Sequence, residues 1–267
     1  MSELWSRLGF LAIALVVYRI GTHIPIPGIN PEQVAALFQQ SQGTILQYFN
    51  LFSGGALERM SIFALSVVPY ISSAIVMQLF SNSVPYLQEL KKDGQAGRNK
   101  ITQYTRYGTV IFALIQSSAL TVTLQTAGLI DAGSIFSAFV AVISIVTGTM
   151  FLMWLGEQIS ERGIGNGISI IIATSIITGV PRAFGQALEQ TQQGDLNYLL
   201  LIVLAVLTLL VVAFVVFVEN AQRKITVNYA QRNQVRGMIQ APSSFLPLKL
   251  NMSGVIPAIF ASTFLLF

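Results

Sequence analysis

The chain contains no cysteine and a single histidine, His23, so thiolate nucleophiles, disulfides and centres built from several imidazoles are excluded at the outset. No carboxylate stands at the centre of an apolar run, which argues against a paired acid and base or a proton relay inside a membrane. The glycine-rich stretch Arg162-Gly163-Ile164-Gly165-Asn166-Gly167-Ile168-Ser169 lacks both the preceding strand and the Gly-Lys-Ser/Thr ending of a phosphate-cradling loop. Its glycines are expected to serve a tight turn and close helix packing. No metal, cofactor or catalytic residue is assigned. What remains is the physical chemistry of apolar side chains. Val67 and Ile71 stand one helical turn apart, as do Ile168 and Ile172, so each pair projects from one helix face. Taken alone, such pairs contact lipid or pack against neighbours. Arg19 lies inside an apolar run, about 16 Å beyond Leu8 at the helical rise, near enough to an interface for its head to snorkel. Ser72, Gln116 and Asn251 are polar side chains in or at the edge of other runs and can hydrogen-bond across a helix interface.

The elements that must carry these residues follow from composition. Of the 267 residues, 53% are apolar and only 10% charged, against roughly 25% charged in a typical soluble domain. Mean hydropathy is +0.67. Apolar runs occur near Leu8–Ile24, Ser61–Phe80, Tyr107–Leu124, Ile135–Leu155, Ile168–Val180 and Tyr198–Val218. Most are long enough to cross a hydrocarbon layer of about 30 Å as a helix. A seventh run opens at Met252 and is still apolar at Phe267, so the chain is expected to be truncated within that span. The reading is an all-α, multi-pass transmembrane bundle. The first run leads into Arg19, His23 and the stiff Ile24-Pro25-Ile26-Pro27-Gly28 stretch without a small-residue cleavage site, which favours a retained helix over a signal peptide.

Basic residues orient the bundle, because Lys and Arg in short loops stay on the cytoplasmic side. With the amino terminus inside, 12 of the 15 basic residues fall in cytoplasmic segments, among them Arg7, Lys91, Lys92, Arg98, Arg162 and the set between residues 219 and 251. The net charge of +4 is thus a topology signal first.

Two further features bear on function. Residues 44–59, TILQYFNLFSGGALER, carry the helix-breaking pair Gly54-Gly55 and run straight into the second span. They read either as a short helix dipping back into a cavity or as an amphipathic helix on the outer surface. The second and seventh runs also share a proline flanked alike, Val67-Val68-Pro69-Tyr70-Ile71 and Val255-Ile256-Pro257-Ala258-Ile259. Interrupted helices in corresponding positions point to a pseudo-symmetric pathway.

The strings RIGTHIPIPGI, YFNLFSGGALERMSIFALSVVPYISSAI, ELKKDGQAGRNKITQYTRYGT, TGTMFLMWLGEQISERGIGNGISIII, TVNYAQR and PLKLNMSGVIPAIFAS resemble the SecY family, the central subunit of the bacterial protein-conducting channel. The resemblance runs in order over essentially the whole chain and covers about seven of ten spans. It implies an inverted-repeat channel fold, with residues 1–180 as the first half and 181–267 opening the second. It also implies a constricting ring onto which Val67, Ile71, Ile168, Ile172 and Ile259 fall. The plug would be 44–59, with Phe49, Leu51, Phe52, Ser53, Gly54 and Gly55. A lateral gate would include Ser72, Gln116, Asn251 and Phe267. The docking surface for the SecA ATPase or a ribosome would be Arg223, Lys224, Arg232 and Arg236, with lesser help from 89–106. Implied partners are SecE, SecG, SecA, the ribosome, signal peptides, nascent polypeptides and anionic lipids. The implied place is the bacterial inner membrane. A secondary transporter or an intramembrane hydrolase would need a midplane ligand site or a nucleophile–base pair, and the sequence displays neither.

Overall fold

Apolar runs of about twenty residues fold as helices in lipid, because nothing there can satisfy their backbone groups except the helix itself. In the computed structural model, residues 2–29, 34, 50, 53–130, 135–193, 197–227 and 244–251 are described. Their elements are α1 (Ser2–Gly21), α2 (Val68–Ser83), α3 (Pro85–Lys92), α4 (Gln95–Thr126), α5 (Ile135–Arg162), α6 (Gly167–Gln192), α7 (Tyr198–Asn220), β1 (Gln222–Val227) and β2 (Ser244–Lys249). Five of the helices, α1 and α4 to α7, are long and apolar enough to cross a membrane. The seventh run and its Pro257 lie outside the described residues.

The second run departs from the expected continuous span. Residues 61–67 are a chain of turns, with Met60 and Ser66 at φ +43° and +52°, and the helix starts only at Val68. Pro69 therefore sits in the first turn of α2, where its missing donor costs no intrahelical bond. It starts a helix instead of kinking one. The opposite happens in α6, which continues past the expected end at Val180 through an internal Pro181. The following AFGQALEQ is rich in good helix formers, which outweighs the one lost backbone bond.

Residues through Phe184 form one compact unit. Within it α4 packs along α2, where Ser73 Oγ donates to the Thr105 carbonyl at 2.7 Å. It also packs on α5, where Arg106 grips Glu157 with two 2.9 Å hydrogen bonds. The glycine-rich turn behaves as its composition predicts. A Cβ on Gly167 would overlap the Gly156 carbonyl, and Ser160 Oγ takes the Gly167 N–H at 2.8 Å, so α5 and α6 meet backbone to backbone.

Gly185 onward forms a second unit. Its α7 is apolar all round and has no buried residue, the pattern of a helix whose surroundings are lipid or other spans. After it comes a departure from an all-helical reading: β1 pairs antiparallel with β2, Gln222 opposite Lys249 and Val227 opposite Ser244. The basic 219–251 loop thus contains a two-stranded ribbon, built from Ile225, Thr226 and Val227 on one side and Phe245, Leu246 and Leu248 on the other.

Candidate functional site

Val67 is the residue that caps α2 and is 2% exposed; its carbonyl receives the Ile71 N–H at 3.1 Å. The two side chains leave the first turn of α2 toward the interior. Ile168 and Ile172 come from the first turns of α6, half-buried. All four belong to a single apolar cluster with Ala14 and Tyr18 of α1, Ala56, Phe63, and Leu152, Leu155 and Ile159 of α5. Four of the five proposed ring positions are thus brought together, from two elements that are distant in sequence. Ile259 lies outside the described residues.

Over this cluster runs the described part of the glycine segment, Ser53 to Met60. It is a series of turns and not a helix, because Gly54 and Gly55 adopt φ +66° and +80°. The segment is internal: Ser53, Ala56, Leu57 and Met60 are all buried. For these residues the structure therefore departs from a helix lying on the outer surface. Gly54 rests directly on α6, where a Cβ would stand 3.2 Å from the Ser175 Cα and 3.3 Å from Thr178 Oγ1. The segment holds its own shape through Asn50, whose Oδ1 accepts from the Glu58 N–H and whose Nδ2 donates to Glu58 Oε2, both at 3.0 Å. Two backbone bonds tie it to the end of α1: Ile26 N–H to the Met60 carbonyl at 2.9 Å and Ile62 N–H to the Ile24 carbonyl at 3.0 Å. Phe49, Leu51 and Phe52 fall outside the described residues.

Tyr18, which sequence reasoning passed over, joins these parts. Its ring stacks on Phe63 with centroids 6.1 Å apart, and its hydroxyl lies 2.5 Å from Ser175 Oγ and 3.4 Å from the Ser53 carbonyl. A tyrosine and a serine inside apolar runs were the available signal, since buried hydroxyls in a span seek each other. Arg19 beside it has Nη1 buried and without a hydrogen-bond partner among the described residues.

The polar trio separates. Ser72 is buried on α2 and donates to the Val68 carbonyl of its own helix at 3.2 Å. Gln116 on α4 is half-buried, with Oε1 buried and unpartnered among the described residues. Asn251 belongs to the second unit, where its Nδ2 donates to Glu219 Oε2 at 2.9 Å and fastens the end of the ribbon to the end of α7. Arg223 and Lys224 are exposed on β1, opposite Leu248 and Pro247. Arg232, Arg236 and Phe267 lie outside the described residues. The described residues contain no group of three or more His, Asp or Glu side chains suited to holding a metal ion.

A family model described as SecY matches residues 61–267. The protein translocase subunit SecY of Pseudomonas aeruginosa is 57% identical over 267 residues, an alignment covering 100% of this chain and 60% of that protein. The corresponding subunit of Escherichia coli is 55% identical over 271 residues, covering 100% of this chain and 61% of that one. The chain thus spans about 60% of the length of these curated relatives. Among solved structures, one described as a protein conducting channel aligns with a TM-score of 0.65 at 20% identity, over 98% of this chain and 56% of that one. Sec61 in the canine ribosome–channel complex aligns with a TM-score of 0.64 at 20% identity, over the same shares. At that identity the likeness establishes the fold.

Proposed function

The chain belongs to the SecY family, and we propose that it forms the first half and part of the second half of a passive, gated pore for unfolded polypeptides. The observation that carries this reading is the convergence of Val67, Ile71, Ile168 and Ile172 in one apolar cluster beneath the buried 53–60 segment. A narrow waist of branched apolar side chains excludes water and ions by dewetting. The same side chains can part around any polypeptide, since they offer it no polar site to adhere to. Ile259 and a position beyond this chain complete the ring. The 44–59 segment is the cover on the outer side, seated by Gly54 on α6 and released when a substrate enters.

Ser72, Gln116, Asn251 and Phe267 line the lateral exit through which signal sequences and membrane helices reach lipid. The amino terminus is cytoplasmic and the membrane is the bacterial inner membrane. The pore draws its driving force from SecA or a translating ribosome docked on the basic 219–251 loop. SecE, SecG and anionic lipids complete the assembly. The family name of the curated relatives, protein translocase subunit, supports this reading.

The test is resting ion conductance of the complete channel in planar bilayers. Ile71→Asn and Ile172→Asn raise conductance and let weaker signal sequences through, because a polar side chain rewets the waist. Unchanged conductance in both variants defeats the pore assignment.

A further inference from the structure

His23 is the single imidazole of the chain, and at the end of α1 both of its ring nitrogens are engaged. Arg59 Nη1 approaches Nε2 at 2.9 Å. A guanidinium can only donate, so Nε2 is the unprotonated, accepting nitrogen. Nδ1 lies 2.9 Å from the Arg19 carbonyl, which can only accept, so Nδ1 carries the hydrogen. Thr22 Oγ1, 3.2 Å from Nδ1, gives its own hydrogen to the same carbonyl at 2.7 Å and is left to accept. All three partners therefore require one species, the neutral imidazole with its proton on Nδ1.

That species has a mechanical consequence. Arg59 closes the segment whose Gly54 rests on α6, and the neighbouring Met60 and Ile62 pair with Ile26 and Ile24 just beyond His23. His23 itself is exposed, within reach of protons from the medium. A proton that binds the Nε2 lone pair removes the acceptor of the Arg59 N–H and sets a second cation against the guanidinium.

We propose that His23 is a positioning residue for channel closure: neutral, it holds the 53–60 segment in place by accepting from Arg59, and protonation from the outer side loosens that segment. The proposal rests on the cover reading of 44–59 and on the outer placement of the end of α1. The charged group in contact with the imidazole is the Arg59 guanidinium; Arg19 meets the ring with its backbone carbonyl, and Glu58 stands next to Arg59 and is engaged by Asn50. The α7-preceding helices contribute uncharged neighbours at this end. From α5, Ile143, Ser144 and Thr147 share a groove with Ile24 and Pro25. From α6, Ser175 and Thr178 meet Gly54. Glu58, the carboxylate just before Arg59 in sequence, already accepts from Asn50.

The experiment measures resting conductance of the complete channel in planar bilayers while the outer pH is lowered from about 8 to about 5, the range in which histidine changes charge. The unsubstituted channel becomes several-fold more conductive as the pH falls. His23→Gln, whose Oε1 can accept from Arg59 but takes no proton, stays low and flat. His23→Lys, always charged, is high and flat. A His23→Gln channel that keeps the full pH response, or an unsubstituted channel without one, overturns the proposal. Gly54→Val, measured at pH 8, separates the two levels: a raised conductance there with a flat profile for the unsubstituted channel defeats the His23 role alone, and no rise defeats the cover reading beneath it.

Discussion

Tyr18 Oη stands 2.5 Å from Ser175 Oγ, joining α1 to α6 beside a buried apolar cluster. Each hydroxyl also has a carbonyl within reach: Ser175 Oγ can donate to the Ile171 carbonyl at 2.8 Å. The same phenolic oxygen is 3.4 Å from the Ser53 carbonyl. One hydroxyl thus sits where α1, α6 and the glycine segment meet, a turn beyond Ile172.

Tyr18→Phe removes that hydroxyl and keeps the ring stacked on Phe63. A neutral hydrogen bond contributes about 0.5–1.5 kcal/mol net, so the closed state loses roughly two- to tenfold in its population ratio. Resting conductance rises by that factor while the melting temperature changes little. Ser175→Ala has the same effect, and combining the two adds nothing, as expected for partners in one bond.

Gly54→Ala strains the backbone and the contact together. A side chain at φ +66° costs about 1–2 kcal/mol, and its Cβ stands 3.2 Å from the Ser175 Cα. Gly28 supplies the control: it has φ +86° with nothing within 4 Å of its Cβ. Gly28→Ala lowers thermal stability by a similar amount and leaves conductance unchanged, whereas Gly54→Ala raises conductance. Equal conductance in the two variants shows that Gly54 matters only for its backbone.

Much of this arrangement is legible in the residues themselves, and the exceptions have physical reasons. The span carrying Tyr198 follows from run length alone, because lipid leaves the backbone no alternative to a helix, whereas the apolar run from Ile168 to Val180 is shorter than the helix Gly167–Gln192 that carries it. The turns at 61–67 do not follow from run length, since Ser-Ile-Phe-Ala-Leu-Ser-Val reads as part of an apolar span. Its non-helical course depends on tertiary partners: a Cβ on Gly148 would overlap the Ile62 carbonyl, and Phe63 fills the space a side chain at Gly21 would take. Pairing of Val67 with Ile71 is read correctly from a one-turn spacing, although the first of them caps the helix instead of lying in it. The role of Tyr18 escapes the sequence because its partners are 35 and 157 residues away. The β1–β2 ribbon is equally long-range, its strands separated by residues that carry no hairpin signature at either end.

Arg106 and Glu157 form a two-pronged pair between α4 and α5, with side chains 45% and 19% exposed. Solvent screens a pair this open, so its contribution is at most about 1 kcal/mol. Arg106→Ala and Glu157→Ala each lower the melting temperature of the purified channel by only a few degrees or less, and the double variant is no worse than either. The effect shrinks further in high salt. A loss of folding in either single variant assigns the pair a structural weight its exposure does not predict.

Arg223 and Lys224 are consecutive on β1, so their side chains leave opposite faces of the ribbon. Under the proposed docking of SecA or a ribosome, a partner lying on one face would meet one of them closely and the other at a distance. Arg223→Glu and Lys224→Glu therefore weaken binding unequally, and rising salt removes the effect of the more distant charge first. If the two charges serve topology alone, binding at low ionic strength is the same in both variants and in the unsubstituted channel, and the reversals alter only which side of the membrane the ribbon occupies. Affinity measured against ionic strength, together with protease access to the ribbon in sealed vesicles, distinguishes these outcomes. Equal and large losses in both variants replace the one-face geometry with a partner that clasps the ribbon from both sides.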